Sequence, residues 1–275
     1  MAAPVEDLLI EAGRADRHYV RDLWRYRELL GFLAWRDIKV RYKQTAMGVL
    51  WVVIQPTVQT ILLTFVFSKL ARMPSGSLPY VAVVLAGQIA WMLFSSAFIG
   101  AGNSLTSNTH LVGKVYFPRL ILPLSALGVA LVDCLVLLAL TLPFAPLAGI
   151  GPTWRWAFLP LFMAAALAPA IGAGLWIGAL TVKYRDFRFI TPFLLQIGMF
   201  VTPVGFSTQF LPSWRELLAL NPLTGVVEGF RWCLLGEQQE LFLPSLVSSG
   251  VISAILIVSG LWYFRRTERQ FADIL

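Results

Sequence analysis

The chain has 275 residues, of which 57% are hydrophobic and only 13% are charged, and its formal net charge is +7. Because a soluble domain has about 25% charged residues, this composition excludes a large soluble domain and predicts one helical membrane domain that uses nearly all of the length. The positive charge does not indicate a nucleic acid partner, since the basic residues are placed as membrane topology requires.

The predicted elements begin with an amphipathic helix. Apolar residues recur at spacings of four, three, four and three, which puts them on one helical face. They are Tyr19, Leu23, Tyr26, Leu30 and Leu33. An amphipathic helix that carries Trp and Arg and precedes a membrane span is expected to lie in the inner interface of the membrane. The same pattern is typical of a soluble helix docked on a partner, and the two interpretations are compatible.

A cationic segment follows directly after this helix. Arg36, Lys39, Arg41 and Lys43 lie within eight residues of one another. Arginine binds phosphate in a bidentate manner and lysine binds it as a point charge, so these side chains are candidates for phosphate contact where a substrate enters. The alternative is that they only set the topology and attract anionic lipid headgroups.

Six stretches almost free of charge come next, each long enough to cross a hydrocarbon core of about 30 Å with ~20 residues. They cover about residues 47–68, 78–102, 120–147, 156–181, 190–206 and 241–264. The fifth stretch is only just long enough. The sequence therefore predicts an all-α integral membrane protein, with a cytoplasmic N-terminal segment at 1–45 and a six-helix transmembrane domain at 46–275.

The basic residues predict the sidedness of these spans. With six spans and a cytoplasmic N-terminus, 17 of the 22 Lys and Arg residues fall on the inner side and five on the outer side. This division follows the positive-inside rule, so both termini are expected in the cytoplasm.

Polar and small residues inside the spans predict helix contacts. Gln55 and Gln59 share a face of the first span, and amides in lipid need partners from neighbouring helices. Gly174 and Gly178 of the fourth span have the spacing for close helix packing. Asp133 is the only ionisable residue well inside a span, and no Lys, Arg or His is expected at its depth. It is either protonated or bonded to another helix, or it handles substrate or protons.

Aromatic side chains form faces on two of the spans. Trp91, Phe94 and Phe98 share a face of the second span, and Phe193 and Phe200 share a face of the fifth. These faces indicate either ordinary packing or the lining of a transport channel. An aromatic lining would suit sugar rings, which present apolar C–H faces between their hydroxyl groups.

Residues 207–240 are too long for a turn and too polar for a span. Two short helices are expected, at 212–220 and 222–235, separated by the helix-breaking pair Asn221 and Pro222. Non-helical backbone at membrane depth is tolerated only where it is buried in protein or lines a cavity. The segment therefore predicts a short helical hairpin, either re-entrant or on the outer surface, with a functional role.

The sequence lacks the residue sets that catalysis needs. No G-x-x-x-x-G-K-[ST] motif occurs, so the chain is not expected to bind ATP by that route. His18 and His110 are the only histidines, and neither lies in a cluster with metal-ligand spacing. No Ser/His/Asp or paired-carboxylate set can be proposed. A non-catalytic protein without metal or cofactor is expected, and a membrane enzyme is disfavoured.

Five sequence blocks occur in a recognisable order. They are RDIKVRYKQT at 36–45 followed by Gly48, Trp51 and Pro56, then KVYFPRLILP at 114–123, TVKYRD at 181–186, TPV at 202–204 and NP at 221–222. In this order the blocks resemble the ABC-2 type permeases of polysaccharide and polyol phosphate export systems. They are most similar to the membrane subunits for O-antigen (lipopolysaccharide) export, with capsule and teichoic acid exporters close by.

The resemblance implies the permease subunit of an ATP-driven exporter in a bacterial inner membrane. Such permeases are homodimers that bind two copies of a separate ATPase subunit, which holds the ATP and magnesium. The substrate would be a lipid-diphosphate-linked glycan that enters near the cationic segment and crosses to the outer side between the two subunits. A capsule or teichoic acid exporter, or an ABC-2 permease for small hydrophobic drugs or lipids, is the alternative.

The resemblance also implies roles for two further segments. Coupling to the ATPase would be carried by Asn108, Thr109, His110, Leu111 and Lys114. The outer gate would include Trp214, Asn221, Pro222 and Phe230. The N-terminal amphipathic helix would add to the ATPase contact, and the first and fifth spans would line the path.

Overall fold

A computed structural model describes residues 19–43, 48–114, 117–143, 151–236 and 241–268, together with residues 146, 239 and 271. In these residues all regular structure is helical, as predicted. The α-helices are α1 Tyr19–Arg25, α2 Arg27–Lys43, α3 Gly48–Thr64, α4 Tyr80–Ser107, α5 Thr109–Lys114, α6 Ile121–Thr141, α7 Leu159–Lys183, α8 Phe187–Val201, α9 Pro212–Ala219, α10 Thr224–Leu235 and α11 Leu243–Thr267. A π-helical turn, Phe65–Leu70, extends α3, and a 3₁₀ turn, Trp154–Phe158, precedes α7.

Five helical segments of this part of the chain are long and apolar enough to cross a membrane. They are Leu50–Leu70, Tyr80–Ser107, Ile121–Thr141, Trp154–Lys183 and Leu243–Thr267. They correspond to predicted spans one, two, three, four and six. The end of the third prediction, beyond residue 143, lies largely outside the described residues.

The fifth predicted span is a shorter helix. Helix α8 has 15 residues, whereas a membrane crossing takes about 20. It ends at Val201 because Thr202 is extended, with ψ 137°, and the residue before a proline disfavours the α conformation. Pro203 therefore cuts the helix five residues before the predicted limit, and a sixth span remains a prediction.

The N-terminal helices pack as their spacing predicts. Helices α1 and α2 are joined by a single turn residue, Tyr26, and the apolar stripe faces the protein. Leu33 is fully buried in an apolar cluster with Leu105, Phe117 and Phe264, and the rest of the stripe is partly buried against the same cluster. The helices therefore bind to the ends of the spans and are not separate from them.

Helix α4 lies at the centre and packs against α3, α6, α7 and α10. Its contact with α7 is close because both helices carry small residues there. A Cβ atom added to Gly174 would lie 2.7 Å from the Cβ of Ala101, and one added to Gly178 would lie 3.4 Å from the carbonyl oxygen of Ala101. The predicted small-residue packing of these two glycines is confirmed.

A polar contact joins three segments at the α2 end of the molecule. The Glu268 carboxylate, just after α11, accepts hydrogen bonds from the backbone N–H of Arg119 at 2.9 Å and from the Tyr19 hydroxyl at 3.3 Å. Burial raises the pKa of the Glu268 carboxyl above its usual value. Helix α1, the start of α6 and the end of α11 are therefore held together at one point.

Candidate functional site

A cavity of about 1100 Å³ lies among α2, α3, α4, α6 and α8. Polar side chains contribute to its lining, although α3, α4, α6 and α8 are apolar helices. The polar side chains from the helix interiors include Gln55, Gln59, Gln88, Ser95, Ser96 and Gln196. Amide and hydroxyl groups are costly at membrane depth unless they are hydrogen-bonded, so the polar groups of this lining need partners from neighbouring helices or from a polar ligand.

The glutamines of α3 and α4 meet across this cavity. Gln88 is almost fully buried, and its amide nitrogen donates a hydrogen bond to the side-chain oxygen of Gln59. The prediction that the amides of the first span take partners from a neighbouring helix is confirmed for Gln59. Gln55 lies one turn away on the same face and also lines the cavity.

The α2 end of the cavity is lined by charged and amide side chains, here called the cationic mouth. Its members are Arg36, Asp37, Arg41, Asn108 and Asp133. Arg36 donates through Nη2 to Asp37 Oδ1 at 2.8 Å and to Asn108 Oδ1 at 2.7 Å. The Arg41 guanidinium nitrogen Nη2 lies 2.6 Å from Asp133 Oδ2. Each arginine of the mouth is thus paired with an acceptor of the chain itself.

The expectation that Asp133 has no cation at its depth is wrong. Besides the ion pair with Arg41, its Oδ1 atom accepts a hydrogen bond of 2.6 Å from the Tyr42 hydroxyl. The carboxylate is completely buried, whereas 48% of the Arg41 side chain is exposed. The cation comes from the last turn of α2, which packs along α6, and this contact between distant segments is not visible in the sequence.

The structure divides the four predicted cations of the cationic segment. Arg36 and Arg41 line the cavity, and Lys39 and Lys43 do not. The Lys39 ammonium lies 5.2 Å from the ring centre of the exposed Trp35. Lys43 is exposed at the end of α2. Only the two arginines are therefore placed to meet a ligand inside the cavity.

The predicted coupling residues form the end of α4 and the short helix α5. Asn108 follows the last residue of α4, and its amide donates to the Ser104 carbonyl at 2.9 Å. Leu111 is partly buried against an apolar cluster, whereas His110 and Lys114 are exposed and Thr109 is half-buried. The bond between Arg36 and Asn108 joins this segment to the cationic mouth.

The predicted aromatic lining is split between two surroundings. Trp91 lines the cavity. Its ring contacts Phe94 at a tilt of 45°, with the ring centroids 5.5 Å apart, and Phe94 stacks on Phe98 at 5.8 Å. Phe98 belongs to the buried core. Phe193 and Phe200 lie on the exposed face of α8, where Phe193 is 59% exposed and Phe200 is 61% exposed. The two aromatic sets do not meet within this chain.

At its other end the cavity borders, through Trp91, on an apolar cluster, here called the apolar plug. The buried members of the plug are Leu63, Val84, Trp91, Val204 and Leu223. Leu223 comes from the segment between α9 and α10. A path that continued from the cavity past α8 would therefore have to pass this cluster.

Two short helices stand where the hairpin is predicted, with bounds that differ by two residues or fewer at each end. Asn221 lies between them, donates to the Thr202 hydroxyl at 2.9 Å and accepts from the Leu223 N–H. Pro222 follows it. Trp214 on α9 is exposed and Phe230 on α10 is fully buried. The outer location of these helices and their role as a gate remain predictions.

Sequence reasoning missed two buried ionisable residues of α10. Arg231 is almost fully buried and donates to the carbonyl oxygens of Val83 at 3.1 Å, Val204 at 2.8 Å and Phe206 at 2.8 Å. Glu228, one turn before it, accepts hydrogen bonds from the hydroxyls of Thr208 and Ser245. The signal in the sequence was a pair of opposite charges, Glu228 and Arg231, three positions apart in an otherwise apolar helix.

Comparison with known proteins shows what this sequence is similar to. The family described as ABC-2 type transporter matches residues 28–235. An O-antigen export system permease protein RfbA of Myxococcus xanthus is 28% identical over 92% of this chain and 98% of its own length. A Klebsiella pneumoniae protein of the same name is 25% identical over 90% and 95%. The polysialic acid transport protein KpsM of Escherichia coli is 23% identical over 85% and 91%.

Proposed function

Because the chain belongs to the ABC-2 type transporter family, we propose that it is the membrane permease subunit of an ATP-driven polysaccharide exporter. Its substrate is a lipid-linked glycan of the O-antigen type, carried from the cytoplasmic to the outer side of a bacterial inner membrane. The relatives named for O-antigen export match 92% and 90% of the chain, and one named for capsule polysaccharide export matches 74% of it. These names support the assignment.

The polar cavity carries the proposal. A glycan exposes many hydroxyl groups, and each hydroxyl needs a hydrogen-bond partner when it leaves water. The amides of Gln55, Gln59 and Gln196 supply donors and acceptors at the depth of the spans. A permease for small hydrophobic drugs has no need of such a lining, so the cavity favours a sugar substrate.

The cationic mouth supplies the contact for the lipid carrier. Arg36 and Arg41 receive the phosphate groups because guanidinium binds phosphate through two parallel hydrogen bonds. Lys39 and Lys43 lie outside the cavity, and they attract anionic headgroups of the surrounding lipid. The glycan follows its phosphate into the cavity from this end.

Transport is driven by a partner ATPase that holds the ATP and magnesium, and the permease itself performs no catalysis. Two copies of the chain form a homodimer with two copies of that subunit. The exposed surface of α5, with His110 and Lys114, meets the ATPase, and its movement reaches the mouth through the Asn108–Arg36 hydrogen bond. The α9–α10 hairpin then moves away and opens the apolar plug.

The test is deletion of the gene in its host, followed by localisation of the polymer. The proposal expects a glycan trapped on the cytoplasmic side, and the chemistry of that glycan distinguishes O-antigen from capsule or teichoic acid. Loss of drug resistance without trapped polymer would overturn the proposal in favour of a drug permease.

Complementation with variants then tests the cavity. Gln59→Leu is expected to lower export about two- to thirteenfold, since a lost hydrogen bond is worth ~0.5–1.5 kcal/mol. Gln209→Leu is the matched control, because Gln209 is half-buried outside the cavity. Equal export by the two variants would contradict a role for the cavity lining.

A further inference from the structure

We propose that Asp133 is an internal counter-ion that competes with the substrate phosphate for Arg41. When the mouth is empty, the carboxylate holds the guanidinium. When a phosphate group arrives, Arg41 turns from Asp133 to the phosphate. The inference rests on the proposed function, because it requires that the arginines of the mouth receive phosphate.

The geometry separates a fixed partner from a movable one. The Asp133 carboxylate is fully buried on α6 and is held by the Tyr42 hydroxyl as well as by Arg41. Arg41 lies near the end of α2, lines the cavity and is half-exposed. A guanidinium has five N–H donors, so the side chain can reach from the carboxylate to an anion in the cavity while Tyr42 still holds Asp133.

The chemistry gives the exchange its direction. A phosphate group offers two oxygens to the planar guanidinium, as a carboxylate does, and it carries the larger negative charge, so it can replace Asp133 as the partner of Arg41. Once Arg41 has turned, the buried carboxylate stays close to the bound phosphate, and the two like charges repel each other. Asp133 therefore lowers the affinity for phosphate. A transport site needs this property, because tight binding would prevent release.

Asp37 provides the matched control within the same mouth. It pairs with Arg36 at 2.8 Å, but 35% and 28% of the two side chains are exposed. Both side chains of this pair are partly open to water, so solvent and salt screen the Asp37 carboxylate more than the fully buried Asp133 carboxylate. Asp37→Asn removes a carboxylate of the mouth without the burial that makes Asp133 an effective competitor.

The experiment measures the binding of farnesyl diphosphate to the full chain with its partner ATPase, in nanodiscs of zwitterionic phosphatidylcholine. Asp133→Asn is expected to tighten binding about tenfold, the effect of removing one like charge at close range. Asp37→Asn is expected to tighten binding less than Asp133→Asn does, because solvent screens the partly exposed Asp37 carboxylate. Arg41→Gln weakens binding and abolishes the effect of Asp133→Asn in the double variant.

Two further arms identify the anion and exclude a purely structural role. If Asp133→Asn also tightens the binding of inorganic pyrophosphate, recognition of the phosphate groups is supported. If Asp133→Asn only increases the retention of phosphatidylglycerol, the proposal is overturned. Asp133→Glu keeps the charge and is expected to keep the wild-type affinity within about threefold. If Asp133→Asn and Asp133→Glu both lower the affinity and the melting temperature, the residue only packs α2 on α6.

Failure of this inference is distinct from failure of the proposed function. If Asp133→Asn leaves the affinity unchanged while Arg36→Gln and Arg41→Gln weaken it, the counter-ion role is wrong and the phosphate contact stands. If neither arginine variant changes the affinity, the phosphate contact is wrong, and the counter-ion role falls with it.

Discussion

Replacement of Arg231 by methionine is expected to loosen the α9–α10 hairpin. The guanidinium is almost fully buried and donates to three backbone carbonyls, two of which, Val204 and Phe206, lie in the non-helical bend after α8. Methionine fills a similar volume and donates no hydrogen bond. The Val83 carbonyl lies inside α4 and keeps a helical partner, whereas the two carbonyls of the bend lose a buried donor.

The structure gives the size of this effect. A buried group that loses its hydrogen-bond partner costs about 1–3 kcal/mol, which for two carbonyls sums to about 4 kcal/mol. Removal of the buried charge itself returns part of its desolvation cost, so a net loss of about 3 kcal/mol is expected. For a chain of this length that corresponds to a fall in melting temperature of about 10 °C.

The two free cysteines provide the assay. Cys233 on α10 and Cys134 on α6 are both buried, so a thiol-reactive fluorophore labels each one only when its surroundings open. With the other cysteine replaced by alanine, Cys233 reports the hairpin and Cys134 reports the spans. In Arg231→Met, Cys233 is expected to react at a lower temperature than Cys134.

The control and the refuting result are both specific. Arg185 is exposed, so Arg185→Met is expected to change the melting temperature by no more than about 2 °C, as for other surface substitutions. Arg231→Lys keeps the charge, but a single ammonium cannot reach three separated carbonyls, and it is expected to fall between wild type and methionine. If Arg231→Met and Arg185→Met have the same melting temperature, the role of Arg231 in holding the α9–α10 hairpin is refuted.

Three other predictions concern the spans and the α2 end. The double variant Leu111→Asp, Lys114→Glu is expected to hydrolyse ATP with the partner subunit but to lose export, and normal export would show that the coupling surface lies elsewhere. Gly260→Ala places a Cβ against the Gly172 carbonyl oxygen and is expected to cost about 1–3 kcal/mol, measured by thermal unfolding. Burial raises the pKa of Glu268 in the folded protein. Protonated Glu268 therefore stabilises the folded protein fully below the usual glutamate pKa of about 4.3, and this stabilisation is lost as the pH rises through the raised pKa. The melting temperature of Glu268→Gln should therefore fall less with rising pH than that of wild type, and parallel curves would contradict the linkage.

Sequence patterns predicted the structure correctly where it depends on the residues along one face of a single helix. The spacing of the N-terminal stripe predicted a face that does bury Leu33, and the two glycines of the fourth span predicted the close approach of α7 to α4. These features depend on residues three or four apart on one helix, so periodicity is sufficient to find them. The bounds of α9 and α10 followed from Asn221 and Pro222 for the same local reason.

Contacts between distant segments could not be predicted in this way. Asp133 and Arg41 are 92 residues apart, and their pairing depends on how α2 lies against α6. Arg36 and Asn108 were placed in two separate predicted sites, one for the substrate and one for the ATPase, and the structure joins them by a hydrogen bond. Periodicity gives the face of each helix, but not which faces meet.

The buried charges also change how the topology of this chain is read. Arg231 was counted among the five basic residues of the outer side, yet it faces backbone carbonyls and not water. Without it the imbalance of basic residues between the inner and outer sides becomes larger, which strengthens the positive-inside argument.

The two ends of the cavity differ in the kind of contact that holds them. At the cationic mouth, side chains pair with side chains and can exchange partners for a ligand. At the hairpin, Arg231 holds main-chain atoms of α4 and of the bend after α8, and these can only move together. In the proposed exporter, the substrate therefore acts on the mouth, whereas the hairpin end must be opened by movement of whole helices.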